Sequence, residues 1–228
     1  MTSNPPILAV AFDVDGTLYP NSSMYLRSIP FALTHLRLLR AYSNIRRQIR
    51  TIRPIEDFPA LERTLLSKEL GISEKRAAKL IETTIHGVWE SVFDTVKPYR
   101  YVRTAIEWIR DNGMKVAVSS DFPVETKLRR LGLDDLFECS LWSASSGYLK
   151  PHPEPFTALV ECFGVPAESV LYVGNSYDYD VVGSRASGMR SAHLRRRPLR
   201  NSIADFTFSD YRRLPEWIEL VNRRSKES

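Results

Sequence analysis

Apolar positions along the chain follow two different rhythms. Ile7-Leu8-Ala9-Val10-Ala11-Phe12, Val116-Ala117-Val118 and Val170-Leu171-Tyr172-Val173 are short, unbroken apolar runs. Runs of this length and composition predict strands buried on both faces, as in a parallel sheet covered by helices. From about residue 97 onward they alternate with stretches of helical period. The pattern predicts helices over Tyr101–Asn112, 123–131, 153–163 and 178–187, and strands at 114–118, 170–173 and 190–194. Such repetition of strand and helix predicts a Rossmann-like, mostly parallel α/β sheet.

Residues 21–96 break that rhythm and show no strand pattern. Leu38, Tyr42, Ile45, Ile49 and Ile52 recur at alternating spacings of four and three, which draws one apolar stripe along a helix. Glu62–Leu70 and Ser73–Val92 read as two more helices; Ser73 is a good N-cap, although Arg76 stands where a capping box needs an acid. The chain therefore divides into an α/β core, residues 1–20 and 97–228, and an inserted all-helical segment, 21–96. There is no internal repeat and no low-complexity segment.

A chain of 228 residues with 43% apolar residues suffices for a sizeable core. No segment approaches the ~20 apolar residues that span a bilayer, and Met1-Thr2-Ser3-Asn4-Pro5-Pro6 lacks the regions of a secretory signal. The expectation is a cytoplasmic protein with no membrane partner. Cys139 and Cys162 stand far apart in sequence and outside any CxxC, so they read as buried free thiols rather than a disulfide or a zinc site.

The chemistry gathers where predicted strands end, the edge at which open α/β folds place their sites. The first run stops in Asp13-Val14-Asp15-Gly16-Thr17. The two acids are alternate residues and would share a face on a continuing strand, while Gly16 lets the chain turn away. Neighbouring anions there need a cation or a proton to coexist; a pair of Asx-turn aspartates is the plainer alternative. The second strand ends in Ser119-Ser120-Asp121, a lone Lys150 precedes Pro151, and the third strand ends in Gly174-Asn175, with Asp178 and Asp180 beyond.

This order resembles the haloacid dehalogenase superfamily of hydrolases: a DxDGT motif, a serine after the second strand, a lysine, and a GDxxxxD-like motif, together covering roughly residues 7–194. The resemblance implies a magnesium-dependent phosphatase of a small phosphorylated metabolite, with 21–96 as the helical C1 cap over a catalytic core. It implies Asp13 as nucleophile and metal ligand, and Asp15 as general acid and base with its carbonyl on the metal. Ser119 and Lys150 bind the phosphoryl oxygens, with Gly16 permitting the turn and Ser120 as a further phosphate-side candidate. Asn175 and Asp180 complete the metal set, with Asp178 as a competitor. Leu18-Tyr19-Pro20 and Asp94–Pro98 would be the hinges of cap closure.

Two positions depart from the family's pattern. Ser120 replaces a common asparagine. Asn175 stands where most members carry an aspartate: an amide oxygen still suits magnesium, but with one charge fewer. Asn175 also raises the 2-haloacid dehalogenase reading, which Asp15 opposes, because displacing halide needs no general acid. A phosphomutase of the same superfamily, or a non-catalytic phospholigand-binding protein, are the other readings.

Charge is uneven. Seven arginines and no acid lie between Asn21 and Ile55 in a chain of net charge +5, and Arg195-Arg196-Arg197 with Arg200 form a second cluster. A cationic cap would draw in an anionic substrate; solvated arginines on an amphipathic helix are the plainer reading. No nucleic-acid motif accompanies them, so no nucleic-acid partner is expected. His152 reads as a loop residue. The sequence carries no signal for oligomeric state.

Overall fold

The computed structural model describes residues 5–87 and 93–227. Six parallel strands form one sheet: β1 (Ala9–Phe12), β2 (Lys115–Ser120), β3 (Cys139–Trp142), β4 (Val170–Gly174), β5 (Arg190–Leu194) and β6 (Phe206–Phe208), in the order β3-β2-β1-β4-β5-β6. β1 lies centrally, Phe12 facing Val118 on one side and Val173 on the other. The strands on either side are reached by opposite crossovers from it, which opens a crevice at their carboxyl ends.

The unbroken apolar run of β1 is explained by helices on both faces. Val10 and Phe12 join Val116, Val118, Leu171 and Val173 under one helical layer. That layer includes Val102–Asp111, Glu125–Leu131 and Arg213–Lys226, which supply among others Ile106, Ile109, Leu128, Leu214 and Ile218. Ala9 and Ala11 face the other way, with Ala117, Val170 and Tyr172, against Phe156, Leu159 and Phe163 of helix Glu154–Phe163. The small alanines let that helix sit close to the sheet.

Between β1 and helix Val102–Asp111 every described element is helical: α1 (Asn21–Arg27), α2 (Ile29–Thr34), α3 (Leu36–Ile49), α4 (Phe58–Leu70) and α5 (Glu74–Lys79), which runs on in wider π turns to His86. The apolar stripe of α3 is buried at Leu38, Tyr42, Ile45 and Ile49; Ile52 lies past the helix end and is half-buried. α4 begins earlier than its periodicity predicts, because Asp57 accepts from the Ala60 N–H at 2.9 Å and Pro59 suits a first turn. It stops at left-handed Gly71. The predicted helix over Ser73–Val92 is found to Gly87; residues 88–92 lie outside the described residues.

Three features depart from expectation. β3 and β6 lack a strand signature: Cys-Ser-Leu-Trp is half polar and only partly buried, and β6 has three residues. The C-terminal helix Arg213–Lys226 is a further addition to the predicted elements. Cys139 and Cys162 are not free thiols but pair as a disulfide, with Cα atoms 6.7 Å apart. Helix Glu154–Phe163 packs on β3, which brings together two cysteines separated by 23 residues. Among the described residues, no helix is long and apolar enough to cross a membrane.

Leu38, Ala41, Tyr42, Ile45, Leu66, Ala77, Ile81 and Ile85 form an apolar core of the insert, distinct from the two layers of the sheet. Ile45 is fully buried in it. Ile45→Ala is expected to lower unfolding free energy by about 2–5 kcal/mol, the range for truncating a buried aliphatic side chain. Denaturant unfolding followed by circular dichroism checks this; an unchanged midpoint would mean that the insert contributes nothing to the cooperative unit.

Candidate active site

The central strand stops at Phe12 and delivers Asp13, whose N–H donates to Val173 O at 2.9 Å, in line with the β4 ladder. Only 6% of Asp13 is exposed. Its Oδ1 accepts from Lys150 Nζ at 2.8 Å and its Oδ2 from Thr17 Oγ1 at 2.9 Å. Lys150 is itself 97% buried and donates also to Asp180 Oδ1 at 2.7 Å and Tyr172 Oη at 2.9 Å. Asp180 in turn receives the Ser176 N–H at 2.9 Å. One ammonium thus stands between two carboxylates.

That arrangement leaves a surplus negative charge in the interior. Burial pushes the Asp13 carboxyl up to about 7; Lys150 opposes the rise, while Asp180 and Asp15 add to it. Burial by itself would lower the Lys150 ammonium, but Asp13 and Asp180 hold it well above its ordinary value.

Asp15 does not share Asp13's surroundings. Because the strand has ended, the chain turns through Gly16 at φ +89°, and Asp15 reaches towards helix Glu125–Leu131. Lys127 Nζ donates to both carboxylate oxygens at 2.6 Å, Ser120 Oγ donates at 3.0 Å, and the Tyr19 hydroxyl donates as well. Burial favours the neutral acid, yet Lys127 outweighs it and Tyr19 and Ser120 assist, so the carboxyl lies below its usual value.

Ser119, at the end of β2, is buried, and its Oγ has no hydrogen-bond partner. Among the described residues it is a buried hydroxyl without a partner, beside Asp13's strand. Asn175 follows β4; its Oδ1 accepts from Thr17 Oγ1 at 3.2 Å, so the amide oxygen and Asp13 Oδ2 converge on one hydroxyl. Gly16 cannot carry a side chain here, since a Cβ would lie 2.4 Å from Asn21 Nδ2 and 2.5 Å from Asn175 Nδ2. Gly174 is equally constrained: a Cβ would lie 2.3 Å from that of Asp180.

Asp13, Asp15, Ser119, Ser120, Lys150, Asn175 and Asp180 are therefore gathered at one sheet edge. Asp178 is exposed. Among the described residues, no group of three acids, histidines or cysteines is arranged as a metal cluster. Asp13 Oδ2 and Asn175 Oδ1 nevertheless bring two hard oxygens together at Thr17 Oγ1, donors of the kind that fits magnesium.

Several site neighbours carried no sequence signal. Lys127 is one. Two of the seven arginines singled out between Asn21 and Ile55 also reach the site: Arg50 at the α3 terminus pairs with Asp121 Oδ2 at 2.5 Å, donates to the Lys150 carbonyl and lies 4.0 Å over the Tyr179 ring. Arg46 Nη2 donates to the Asp121 carbonyl at 2.9 Å. Arg27, Arg37, Arg40, Arg47 and Arg53 are exposed, as solvated helix arginines are. His152 lies in the same loop as Lys150, its Nε2 2.7 Å from the Arg50 carbonyl.

Residues 7–188 match the family of haloacid dehalogenase-like hydrolases. The chain belongs to that family. It is 29% identical over 205 residues to a glyceraldehyde 3-phosphate phosphatase of Methanopyrus kandleri, covering 83% of this chain and 84% of the relative. It is 27% identical over 229 residues to a phosphoglycolate phosphatase of Haemophilus influenzae, covering 92% and 98%. An L-2-haloacid dehalogenase structure from Xanthobacter autotrophicus, with chloropropionic acid covalently bound, superposes with a TM-score of 0.69 at 18% identity over 93% of this chain and 98% of that one. That last likeness is one of fold. With Asp15 in place and phosphatases as its relatives over most of its length, the chain is a phosphatase-type member, a phosphoric monoester hydrolase.

Asp121 ties the helical insert to this edge. Burial raises its carboxyl, but Lys150, Arg50 and Arg46 more than offset that and hold it below the usual 3.8. An acid lowered on folding contributes stability above its unfolded value and loses it as pH falls through the folded one. Asp121→Asn is expected to cost about 3–5 kcal/mol at pH 7, as for breaking a buried pair. The gap to the parent protein should narrow below about pH 4. Urea unfolding at several pH values checks this; a gap independent of pH would mean that the charge is not what Asn removes.

Proposed function

We propose that the protein is a magnesium-dependent phosphatase acting on a small phosphorylated metabolite through an aspartyl-phosphate intermediate. The observation that carries the reading is Asp13 at the end of the central strand, ion-paired to buried Lys150 beside the unpaired hydroxyl of Ser119. Asp13, the Asp15 carbonyl and Asn175 would hold the cation, with Asp180 fixing Lys150. When bound, magnesium would offset charge on the phosphoryl oxygens.

An Asp13 oxygen attacks phosphorus as the ester P–O bond breaks, and the leaving alkoxide takes a proton from Asp15. Water then attacks the aspartyl phosphate, gives its proton to Asp15, and the bond to Asp13 breaks. Ser119 Oγ and Lys150 Nζ donate to the phosphoryl oxygens. The resting ion pair with Lys127 suits Asp15 to accept the water's proton; donating one to the alkoxide requires that pair to loosen. Helices 21–96 act as a cap that excludes bulk water, hinged at Leu18-Tyr19-Pro20 and near Asp94–Pro98.

Asp13→Asn is expected to abolish phosphate release from acetyl phosphate and p-nitrophenyl phosphate. Asp15→Asn should lower it by about 10²–10⁴-fold, the span of general acid–base help. Purified protein assayed with magnesium and with chelator decides. Near-normal release by Asp13→Asn would end the covalent mechanism, and chelator-resistant halide release from 2-haloacids would favour the dehalogenase.

Asn175 generates a separate expectation. Asn175→Asp adds a negative charge facing the cation, so magnesium should bind more tightly, with the maximal rate changing less. Like-charge repulsion from Asp13 and Asp180 opposes the gain. Calorimetric titration with magnesium, beside the activity titration, measures it; an unchanged affinity would remove Asn175 from the metal site.

A further inference from the structure

A cavity of about 280 Å³ lies between the helical insert and the ends of β2 and β3. Its walls include Phe58 of α4, Phe122 after β2, and Trp142 at the end of β3. Trp142 meets Phe58 edge to face at 5.3 Å, and its Nε1 donates to the Asp121 carbonyl at 3.4 Å, which fixes the indole. The Arg46 guanidinium lies against Phe58 and Phe122, 5.2 Å and 4.2 Å from their ring centroids. Its Nη1 lies 3.9 Å from Glu62 Oε1, an ion pair, and makes no hydrogen bond among the described residues. Glu62 and Glu82 supply carboxylates to the lining.

Position relates this cavity to the phosphoryl site. Ser120 is level with Trp142 in the ladder, as Phe12 is with Val118, and β3 is two strands from β1. At 4.7–4.9 Å per strand, Trp142 stands roughly 10 Å from Asp13. Phe122 connects the two regions: Lys127 Nζ lies 4.9 Å from its ring while holding Asp15. A ligand with its phosphoryl group at Asp13 therefore reaches the aromatic walls only if about a sugar's length separates phosphorus from the rest.

We infer that the cavity is a leaving-group pocket for phosphomonoesters carrying a planar heteroaromatic ring on a sugar-sized spacer, as nucleoside monophosphates do. The inference rests on the phosphatase reading and names its substrate class. Aromatic walls take a flat ring by stacking, whereas short-chain phosphates such as those named for the two relatives present no ring to them. Of the lining carboxylates, buried Glu62 already accepts from the Tyr42 hydroxyl and faces Arg46, so exposed Glu82 is the one placed to accept from ring N–H and amino groups.

The test compares kcat/KM for nucleoside 5′-monophosphates, ribose 5-phosphate and acetyl phosphate, with magnesium throughout. At least one nucleotide should exceed ribose 5-phosphate by about tenfold or more, within what one ring stacked on aromatic side chains contributes. Trp142→Ala should bring that ratio towards one, and Trp142→Phe should keep most of it, which separates ring loss from misfolding. Adenosine, having no phosphate, should compete with ribose 5-phosphate and quench Trp142 fluorescence, a signal lost in Trp142→Phe. Equal efficiency for ribose 5-phosphate and every nucleotide, in an active enzyme, would overturn the pocket assignment and leave the phosphatase intact. No release from any ester would overturn the phosphatase reading, and the adenosine titration would then decide the pocket alone.

Discussion

Everything at the carboxyl edge of the sheet depends on one buried ammonium. Lys150 Nζ is shared by Asp13 and Asp180 and touches Tyr172. A lone charge in an apolar interior costs several kcal/mol, so its partners must be in place when the chain folds. That requirement fixes the end of β1, the loop after β4 and the segment before Pro151 relative to one another. It also explains Gly174, where any side chain would strike Asp180 and push it off the ammonium.

The same network reaches into the helical insert. Arg50 touches the Lys150 carbonyl and the Asp121 carboxylate, while the Lys150 N–H donates to Asp121 Oδ1 at 3.3 Å. Movement of α3 against the sheet must therefore break charge-assisted bonds one residue's length from the buried ammonium. Ile49, Ile55, Phe58, Ala144 and Leu149 form a small apolar cluster across the same junction. Polar and apolar contacts together hold the insert over the edge where Asp13 stands.

How legible this was in the sequence follows from what each element relies on. β1, β2 and β4 are buried on both faces, and continuous apolar runs reveal that. The α3 stripe is visible because one face packs and the other meets water. β3 draws its stability from neighbours rather than from its half-polar residues, and β6 is too short for any period to register. The gathered residues Asp13, Ser119, Lys150 and Asn175 could be picked out because each follows a strand or precedes a proline. Lys127 could not: it sits within a short helix, and only the turn after Phe12, which parts Asp15 from Asp13, brings a carboxylate to it. The disulfide was missed for a related reason, since sequence spacing does not say that a helix will lie on the strand bearing its partner.

Charge balance shows what the edge lacks. Asp15 pairs with Lys127, and Asp121 with Arg50 beside Arg46, whereas Asp13 and Asp180 share the single ammonium of Lys150. Asp15 and Asp121 each have a dedicated cation, so the deficit falls on the pair that shares Lys150. It is there that burial lifts Asp13 to about 7. Under the phosphatase reading, a dianionic phosphoryl group arriving at Ser119 would deepen the deficit. A dication beside Asp13 reverses that sign. Under the phosphatase reading, with an amide rather than a carboxylate at 175, the charge that the chain offers such an ion comes from Asp13 in its ionised form. The remaining attraction comes from the shared deficit with Asp180. Under the phosphatase reading, cation and phosphoryl group each offset charge that the other would leave buried.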